Sequence, residues 1–376
     1  MSWTQIAVSG LVLLGLLIVW MTHQIWAAAF LGVLFALTLN APGEWLRQHV
    51  RMPAWVATGL VLLVVLATLT GLGWTIGPSL AGQADELTRA LPDAAQNMVS
   101  WLERRPWGQR VIERAVDWSG IAQDDLDEVR VTRDRASEPV PRPDEPQGQT
   151  ESGPAAQVPG LGTILRPVFT ALSLTAQTGA LILVSLVVML FVAFDPNVYQ
   201  RGVLWLVPKR HEAIAGETMK RLSVALSWWM VGRLGSMIAV GVITSLGMWM
   251  IGMPAPMALG ALAGLLSFVP NIGPVVAAIP GLLLALGTGP LMAVWALGVY
   301  IVAQLIESNV ITPLVDQYAV AVPPGVLIVT QFVFATLAGV WGMIVATPLL
   351  VVIIVLVQQL YIREGLDKPI EVTGTT

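Results

Sequence analysis

Apolar stretches of roughly the 20 residues that cross a bilayer as a helix recur along most of the chain. The pattern predicts eight such crossings, at residues 3–21, 25–40, 54–76, 172–194, 225–251, 291–311, 326–338 and 341–361. Another apolar stretch, 257–286, is interrupted by prolines and is predicted to form a broken hairpin instead of a plain crossing. The expected fold class is therefore an all-α polytopic membrane protein.

Polar segments divide this apolar pattern into four regions. The first three crossings occupy residues 1–76. Residues 77–171 begin as amphipathic helices and continue as a linker rich in proline, acidic residues and glycine, where large apolar residues are too few to favour an ordered core. We expect 77–171 to be extracytoplasmic and its linker disordered, 172–362 to form the main membrane-embedded core, and 363–376 to form a cytoplasmic tail.

Lysine and arginine residues near the span ends indicate the orientation, because short loops rich in these residues stay on the cytoplasmic side of a membrane. Arg47 and Arg51 follow the second span, a second basic group lies within 201–221, and Arg363 and Lys368 follow the last span. Both termini are therefore expected in the cytoplasm. Residues 201–221 are also amphipathic, so we expect them to lie on the anionic inner leaflet.

The predicted hairpin 257–286 contains more helix breakers than a lipid-facing helix tolerates, namely Pro270, Gly273, Pro274 and Pro280. Carbonyl groups that proline leaves without a donor need a protein or water partner inside a bilayer. We expect backbone breaks at these residues and at Pro313, with Gly273 supplying a conformation for a sharp turn that other residues resist. Asn271 either caps the following half-helix or contacts a ligand. A re-entrant hairpin and two short crossings both remain open.

Charged residues are nearly absent between 223 and 362, where only Arg233, Glu307 and Asp316 occur. A charge at the bilayer centre costs at least about 2.5–3.5 kcal/mol on insertion scales, so each is a candidate functional group. Glu307 belongs to a polar stripe that we expect to face the protein interior. The predicted substrate or ion pathway consists of Glu307, Asn309, Gln304, Ser308, Arg233 and Asn271.

Two other interpretations of Glu307 remain open. It could form a purely structural ion pair with Arg233, or it could lie at the membrane interface where water solvates it. Asp316 follows Pro313 in a polar break, and we expect it to be a solvated loop residue.

Composition and motifs argue against several other chemistries. The chain has no cysteine and only three widely spaced histidines, so no metal site and no cofactor are predicted. No lysine follows a glycine, which removes the phosphate-binding loop of ATP-driven pumps. The net charge of −4 gives no indication of nucleic-acid binding. Because no nucleophile motif is recognisable either, we expect the protein not to be an enzyme.

Three stretches, "SFVPNIGPVVAAIPGLLLAL", "QLIESNVITPLV" and "GVWGMIVATPLL", resemble the autoinducer-2 exporter family of bacterial membrane proteins. The resemblance covers most of the chain and is densest from 224 to 350. Its most specific elements are Pro-Asn-Ile-Gly-Pro and Glu-Ser-Asn-Val-Ile-x-Pro. It implies an inner-membrane permease in which residues 172–362 form the transport core.

The resemblance indicates that the protein is a transporter, but it does not indicate which substrate the protein carries. Family members are described as exporters of autoinducer-2 and as sodium or lithium/proton antiporters. The implied partners are a small polar solute or a monovalent cation, together with membrane lipids, and a homo-oligomer remains open. Three functions therefore remain open: a proton-coupled exporter of a small polar metabolite, a cation/proton antiporter, and a non-transporting membrane scaffold.

Overall fold

The computed structural model describes residue 17 and residues 20–50, 52–105, 176–313, 322–363 and 366. Most of the first predicted span, most of the predicted linker, Asp316 and most of the predicted tail lie outside these residues. Nine α-helices follow one another in the described part: α1 His23–Val50, α2 Ala54–Glu103, α3 Ala176–Phe194, α4 Pro196–Trp205, α5 Glu212–Met250, α6 Pro256–Leu266, α7 Ile272–Thr288, α8 Pro290–Ile306 and α9 Pro324–Leu356. A 3-10 turn, Lys209–His211, precedes α5, and π-helical segments Glu307–Ile311 and Val357–Arg363 extend α8 and α9.

The all-α membrane class predicted from the sequence is confirmed. Five helical stretches of the described residues are long and apolar enough to cross a membrane: His23–Val50, Trp55–Leu91, Lys209–Met250, Pro290–Ile311 and Pro324–Arg363. A sixth results if Gly179–Phe194 and Pro196–Trp205, which meet at 90°, count as one bent span. The chain is thus a multi-pass membrane protein, although the described residues do not supply the eight crossings that the sequence predicts.

Helix α2 is a single helix of 50 residues. At about 75 Å it is more than twice as long as a bilayer core of about 30 Å is thick. The predicted third span and the amphipathic segment after it are therefore one continuous helix, with no break between residues 76 and 77. In the distal part of α2, Leu87 and Leu91 are buried against the broken hairpin. There Gln83 accepts a hydrogen bond from the backbone N–H of Met257, 2.8 Å away, so α2 braces the start of α6.

Helices α6 and α7 form the predicted broken hairpin. With 11 residues, α6 is too short to cross a bilayer alone. It packs on α5 at very close range, because a Cβ at Gly260 would overlap Ser245, and one at Gly264 would lie 2.6 Å from the carbonyl oxygen of Met237. Since the later residue of α6 meets the earlier residue of α5, the two helices run antiparallel. The small residues of α6 thus permit a backbone-to-backbone contact.

The turn between α6 and α7 is built around Asn271, whose φ of 64° and ψ of −49° are rare for a residue with a side chain. The N–H of Ile272 donates to the carbonyl oxygen of Pro270 at 2.7 Å, which closes a γ-turn around Asn271. The φ of Gly273 is not positive, so the prediction that its freedom makes the turn is wrong. Gly273 is needed for a different reason: a Cβ there would overlap the carbonyl oxygen of Leu266.

The prolines of α7 differ in what they do. Pro274 lies in the first turn of the helix, where the backbone N–H has no partner inside the helix in any case. Pro280 lies in the interior of α7, and the prediction of a break at Pro280 is wrong. A proline there removes one hydrogen bond, but the buried neighbours Leu283 and Leu284 hold this helix in a packed cluster, so it continues.

Helix α5 joins two separate apolar clusters. Its first half, including Ala225 and Met230, is buried with α1 and the second part of α9. Its second half, including Val240 and Met248, is buried with α6, α7, α8 and the distal part of α2. The residues between these two halves therefore lie where the clusters meet.

The last helical element folds back on itself. Ala338 and Gly339 leave the helical conformation, and Gly339 has a φ of 60°. A Cβ at Gly342 would overlap the carbonyl oxygen of Phe334, although eight residues of straight helix would separate them by about 12 Å. The predicted final hairpin, 326–338 and 341–361, is therefore present.

We predict that Gly273→Ala lowers the stability of the membrane core, because the new methyl group meets the backbone of Leu266 instead of a movable side chain. Overpacking of this kind costs about 1–3 kcal/mol or more. Thermal unfolding of the purified protein in detergent measures the loss. Gly298→Ala is the control, because nothing lies within 4 Å of a Cβ at that position of α8. Equal melting temperatures for the two variants would contradict the close contact.

Candidate functional site

Arg233 of α5 and Glu307 at the end of α8 form an ion pair in the protein interior. Arg233 Nη1 lies 3.1 Å from Glu307 Oε1, and the two side chains are 10% and 6% exposed. Of the three interpretations of Glu307, solvation at the interface is therefore wrong, because this side chain is almost entirely buried. A functional pair and a purely structural pair remain.

Ser236, one turn after Arg233 on α5, is a second partner of the carboxylate. Its hydroxyl donates to Glu307 Oε1 at 2.8 Å. Both donors therefore reach the same oxygen. The other oxygen, Glu307 Oε2, is buried and has no partner within the described residues.

Arg233 also ties the ion pair to the break between α6 and α7. Its Nε donates to the carbonyl oxygen of Phe268 at 3.0 Å. The ring of Phe268 in turn meets the ring of Trp229 edge-on, with 5.9 Å between the centroids. The guanidinium thus connects the carboxylate of α8 with the irregular backbone of the hairpin.

Gln331 of α9 holds the same break from another side. Its side chain is fully buried, and its Nε2 donates to the carbonyl oxygen of Pro270 at 3.0 Å. That carbonyl also closes the γ-turn, so it accepts two hydrogen bonds. Helices α5 and α9 therefore supply the polar partners that a broken helix needs when no water surrounds it.

These contacts create a polar cluster of four side chains, Arg233, Ser236, Glu307 and Gln331, around two backbone carbonyls. Three buried polar atoms of the cluster lack a partner in the described part of the chain: Arg233 Nη2, Glu307 Oε2 and Gln331 Oε1. An unsatisfied buried polar group costs about 1–3 kcal/mol, so native proteins seldom keep several together without a function. One donor and two acceptors are therefore left for water or a bound solute.

The backbone at Glu307 is irregular as well. A π-helical segment, Glu307–Ile311, begins at this residue, and the Thr312 hydroxyl donates to its carbonyl oxygen at 2.9 Å. Such segments occur frequently at functional sites. The regular α-helix α8 ends at Ile306, before the predicted break at Pro313.

The remaining predicted pathway residues do not join the cluster. Gln304 donates to Ser308 at 3.1 Å and Asn309 donates to the carbonyl of Leu305 at 2.9 Å, and all of these bonds lie on an exposed side of α8. The prediction that the whole stripe faces the interior is wrong. The buried face of α8 consists of Ala296, Tyr300, Ala303 and Glu307, a spacing of three and four that brings Glu307 inward and leaves Ser308 and Asn309 outside.

Asn271 is exposed and occupies the N-cap position of α7 without making a capping hydrogen bond through its side chain. The capping interpretation of Asn271 is therefore wrong. The structure places this residue at the turn itself and gives its side chain no contact with the ion pair.

Sequence reasoning missed Ser236 and Gln331, because it took uncharged polar residues only from the stretch around Glu307 and from the broken hairpin. Gln331 is the one amide within "VLIVTQFVFATLAG", and Ser236 lies one helical turn from Arg233. A search for any strongly polar residue in an apolar helix would have found Gln331. Within the described residues, no group of three or more histidine, aspartate and glutamate side chains suitable for holding a metal ion was found.

Comparison with known proteins identifies the family. A sequence model of the AI-2E family transporter matches residues 10–362, nearly the whole chain. The chain belongs to this family. The family is one of membrane transporters and permeases, and the polar cluster lies in the buried core of this member of it.

Individual relatives are distant, and their names give no substrate. The chain is 27% identical over 88% of its length to a candidate transport protein, sll0063, of Synechocystis sp., and covers 76% of that protein. It is 23% identical over 85% of its length to YhhT of Escherichia coli K12, also named a candidate transport protein, and covers 80% of it. The match to the candidate transport protein YrrI of Bacillus subtilis, 26% identical, involves 41% of this chain and only 44% of YrrI.

We predict that the ion pair behaves as a coupled unit in stability measurements. Arg233→Gln leaves a buried carboxylate without its cation, which costs about 3–5 kcal/mol. Glu307→Gln in turn leaves the buried charge of Arg233 without its counter-charge and is also destabilising, although an amide oxygen still accepts from Arg233 and Ser236. The double variant should be more stable than Arg233→Gln alone, since no unpaired charge remains. Thermal unfolding of the four proteins in nanodiscs measures this cycle, and simple additivity of the two single losses would contradict it.

Gln331→Leu should destabilise the break, because it removes the side-chain partner of the Pro270 carbonyl. Hydrogen bonds between membrane helices average about 0.6 kcal/mol and reach about 1.7 kcal/mol. Gln304→Leu is the matched control, since its amide bonds only to Ser308 on the exposed side of α8. We expect the melting temperature to fall for Gln331→Leu and not for the control. A similar result for both variants would show that the break does not depend on Gln331.

Proposed function

We propose that the protein is a secondary transporter of the bacterial inner membrane that exports a small polar metabolite of the autoinducer-2 kind in exchange for protons. The observation that carries this proposal is the buried cluster at the α6–α7 break, where Arg233 Nη2, Glu307 Oε2 and Gln331 Oε1 have no partner among the described residues. Family membership gives the transport class, and the cluster supplies the chemistry.

The solute that suits this cluster is neutral and carries hydroxyl groups. Arg233 and Glu307 cancel each other's charge, so a charged solute would enter an apolar region without a counter-charge. A hydroxyl group donates and accepts, and can therefore satisfy a free guanidinium N–H on one side and a free carboxylate or amide oxygen on the other.

Proton coupling follows from the way Glu307 holds Arg233. When Glu307 takes up a proton it loses its charge, and its attraction for Arg233 falls. Arg233 is then held mainly by the carbonyl of Phe268. Because the same guanidinium contacts the carboxylate and the hairpin break, protonation and the shape of the break are linked. A proton taken up from one side of the membrane thereby changes the site at which solute binds.

A sodium or lithium/proton antiporter is the second candidate. Glu307 Oε2 and Gln331 Oε1 are oxygen ligands of the right kind for a small cation. The permanent charge of Arg233, 3.1 Å from the same carboxylate, opposes cation binding as long as the ion pair is intact. A non-transporting scaffold, the third candidate, would have no use for unpartnered polar atoms in its core.

The proposed orientation places both termini in the cytoplasm. Arg363, at the end of the π-helical extension of α9, bonds to Glu217 near the start of α5 at 3.3 Å. The start of α5 and the end of α9 therefore lie on one side of the membrane. Both carry basic residues, which favours the cytoplasmic side.

We predict that Glu307→Gln inserts and assembles but loses proton-driven transport, because the amide cannot take up and release a proton. The assay uses purified protein in liposomes with an imposed pH gradient, and follows internal pH and solute with autoinducer-2, Na⁺ or Li⁺ added separately. Glu212→Gln, which removes an exposed acid at the start of α5, is the control and should transport normally.

Several outcomes separate the candidates. Proton flux driven by Na⁺ or Li⁺ in the unchanged protein would favour the antiporter, and no flux with any addition would favour the scaffold. If Glu307→Gln transports with an unchanged pH profile, Glu307 does not carry the proton. Recovery of both stability and transport by the double variant Arg233→Gln/Glu307→Gln would mean that the pair is purely structural.

A further inference from the structure

Helix α4 leaves the membrane-spanning direction abruptly. Asp195 alone separates it from α3, and the two helices meet at 90°. Much of the apolar surface of α3 is exposed, as expected for a helix that faces lipid. A helix that turns through a right angle at the end of a span continues in the plane of the membrane, at the depth where the hydrocarbon core gives way to headgroups.

One side of α4 and its following residue is strongly apolar. None of its residues is buried, and five large side chains on one side are exposed: Val198, Tyr199, Val203, Trp205 and Leu206. Trp205 and Leu206 are 85% and 86% exposed. At 3.6 residues per turn, Asn197, Gln200 and Arg201 lie on the opposite side. Protein surfaces seldom leave such an apolar face in water, whereas an interfacial helix inserts it among acyl chains.

Basic residues accompany this apolar face. Arg201, Lys209 and Arg210 are exposed, and the stretch 195–212 contains only two acids, Asp195 and Glu212. One oxygen of Asp195 accepts the N–H of Val198 at 3.3 Å and so caps α4. The segment therefore combines an apolar face with exposed cations at the level of the headgroups.

We propose that residues 196–211 form an interfacial anchor that binds the headgroups of anionic phospholipids in the membrane that the protein spans. Trp205 and Leu206 insert into the outer part of the acyl region, while Arg201, Lys209 and Arg210 bind the phosphates. Helix α4 follows directly after α3, whose exposed apolar side chains are those expected to face lipid, and α4 is only about 15 Å long. A lipid surface is therefore the partner that this apolar face fits. A second copy of the chain or another protein would have to displace lipid from it.

The depth of α4 can be measured with single cysteines, because the chain contains none of its own. Leu206→Cys, on the apolar side directly after α4, and Gln200→Cys, among the polar residues of α4, are labelled with an environment-sensitive fluorophore in the full-length protein. The liposomes contain phosphatidylethanolamine and phosphatidylglycerol. We expect the label at 206 to be quenched severalfold less by aqueous iodide and more by a lipid-bound quencher than the label at 200. Equal iodide quenching of both labels, or protection of 206 from both quenchers, would overturn the membrane location.

The headgroup preference has its own test. Lys209→Gln/Arg210→Gln is compared with Arg89→Gln/Arg104→Gln, which removes two exposed basic residues from the distal end of α2 and its following turn. Lipids retained by the purified proteins are counted by native mass spectrometry after equilibration with equal phosphatidylglycerol and phosphatidylcholine. Each basic residue lost from the anchor should lower the preference for phosphatidylglycerol about fivefold. An unchanged preference, or the same fall in the control, would overturn anionic-lipid binding at this segment.

Discussion

Backbone carbonyls that are freed inside an apolar core must find hydrogen-bond donors, and the architecture of this membrane protein follows from that requirement. The chain between α6 and α7 breaks, so the carbonyls there lose their partners within the helix. The carbonyls of Phe268 and Pro270 are instead bound by Arg233 and Gln331, which come from two different helices. An arginine can be kept at this depth only if its charge is balanced, and Glu307 balances it.

The position of the cluster explains how a polar group can survive in a protein of this composition. Arg233 and Ser236 lie on α5 between its two apolar halves, each of which is packed into a different cluster. Close backbone contacts at Gly260, Gly264 and Gly273 hold α5, α6 and α7 together. Close packing thus holds the helices around the polar cluster in place, while a few polar atoms of the cluster have no partner among the described residues. Such an arrangement suits the proposed transport function, because rigidly packed helices then surround a site whose polar contacts can change.

Both ends of the membrane core are restrained in different ways. At one end, the distal part of α2 caps the start of α6 through Gln83 and buries Leu87 and Leu91 against the hairpin. At the other, Glu217 receives hydrogen bonds from Arg221 and Arg363, which joins α5 to the end of α9. The distal part of α2, which follows its long apolar stretch, therefore holds the broken hairpin. Movement of the hairpin and movement of the long helix α2 are linked for this reason.

The hydrophobic pattern by itself determined the all-α membrane class, the location of the broken hairpin and the final hairpin, because these depend on local sequence. It also selected Arg233 and Glu307, since charges are rare in apolar helices. Only the tertiary structure decided that Gln331 partners Pro270 across 61 residues, that the other polar residues near Glu307 face outward, and that α7 continues through Pro280. Partners and faces depend on which helices pack together, and periodicity along one helix cannot specify its neighbours.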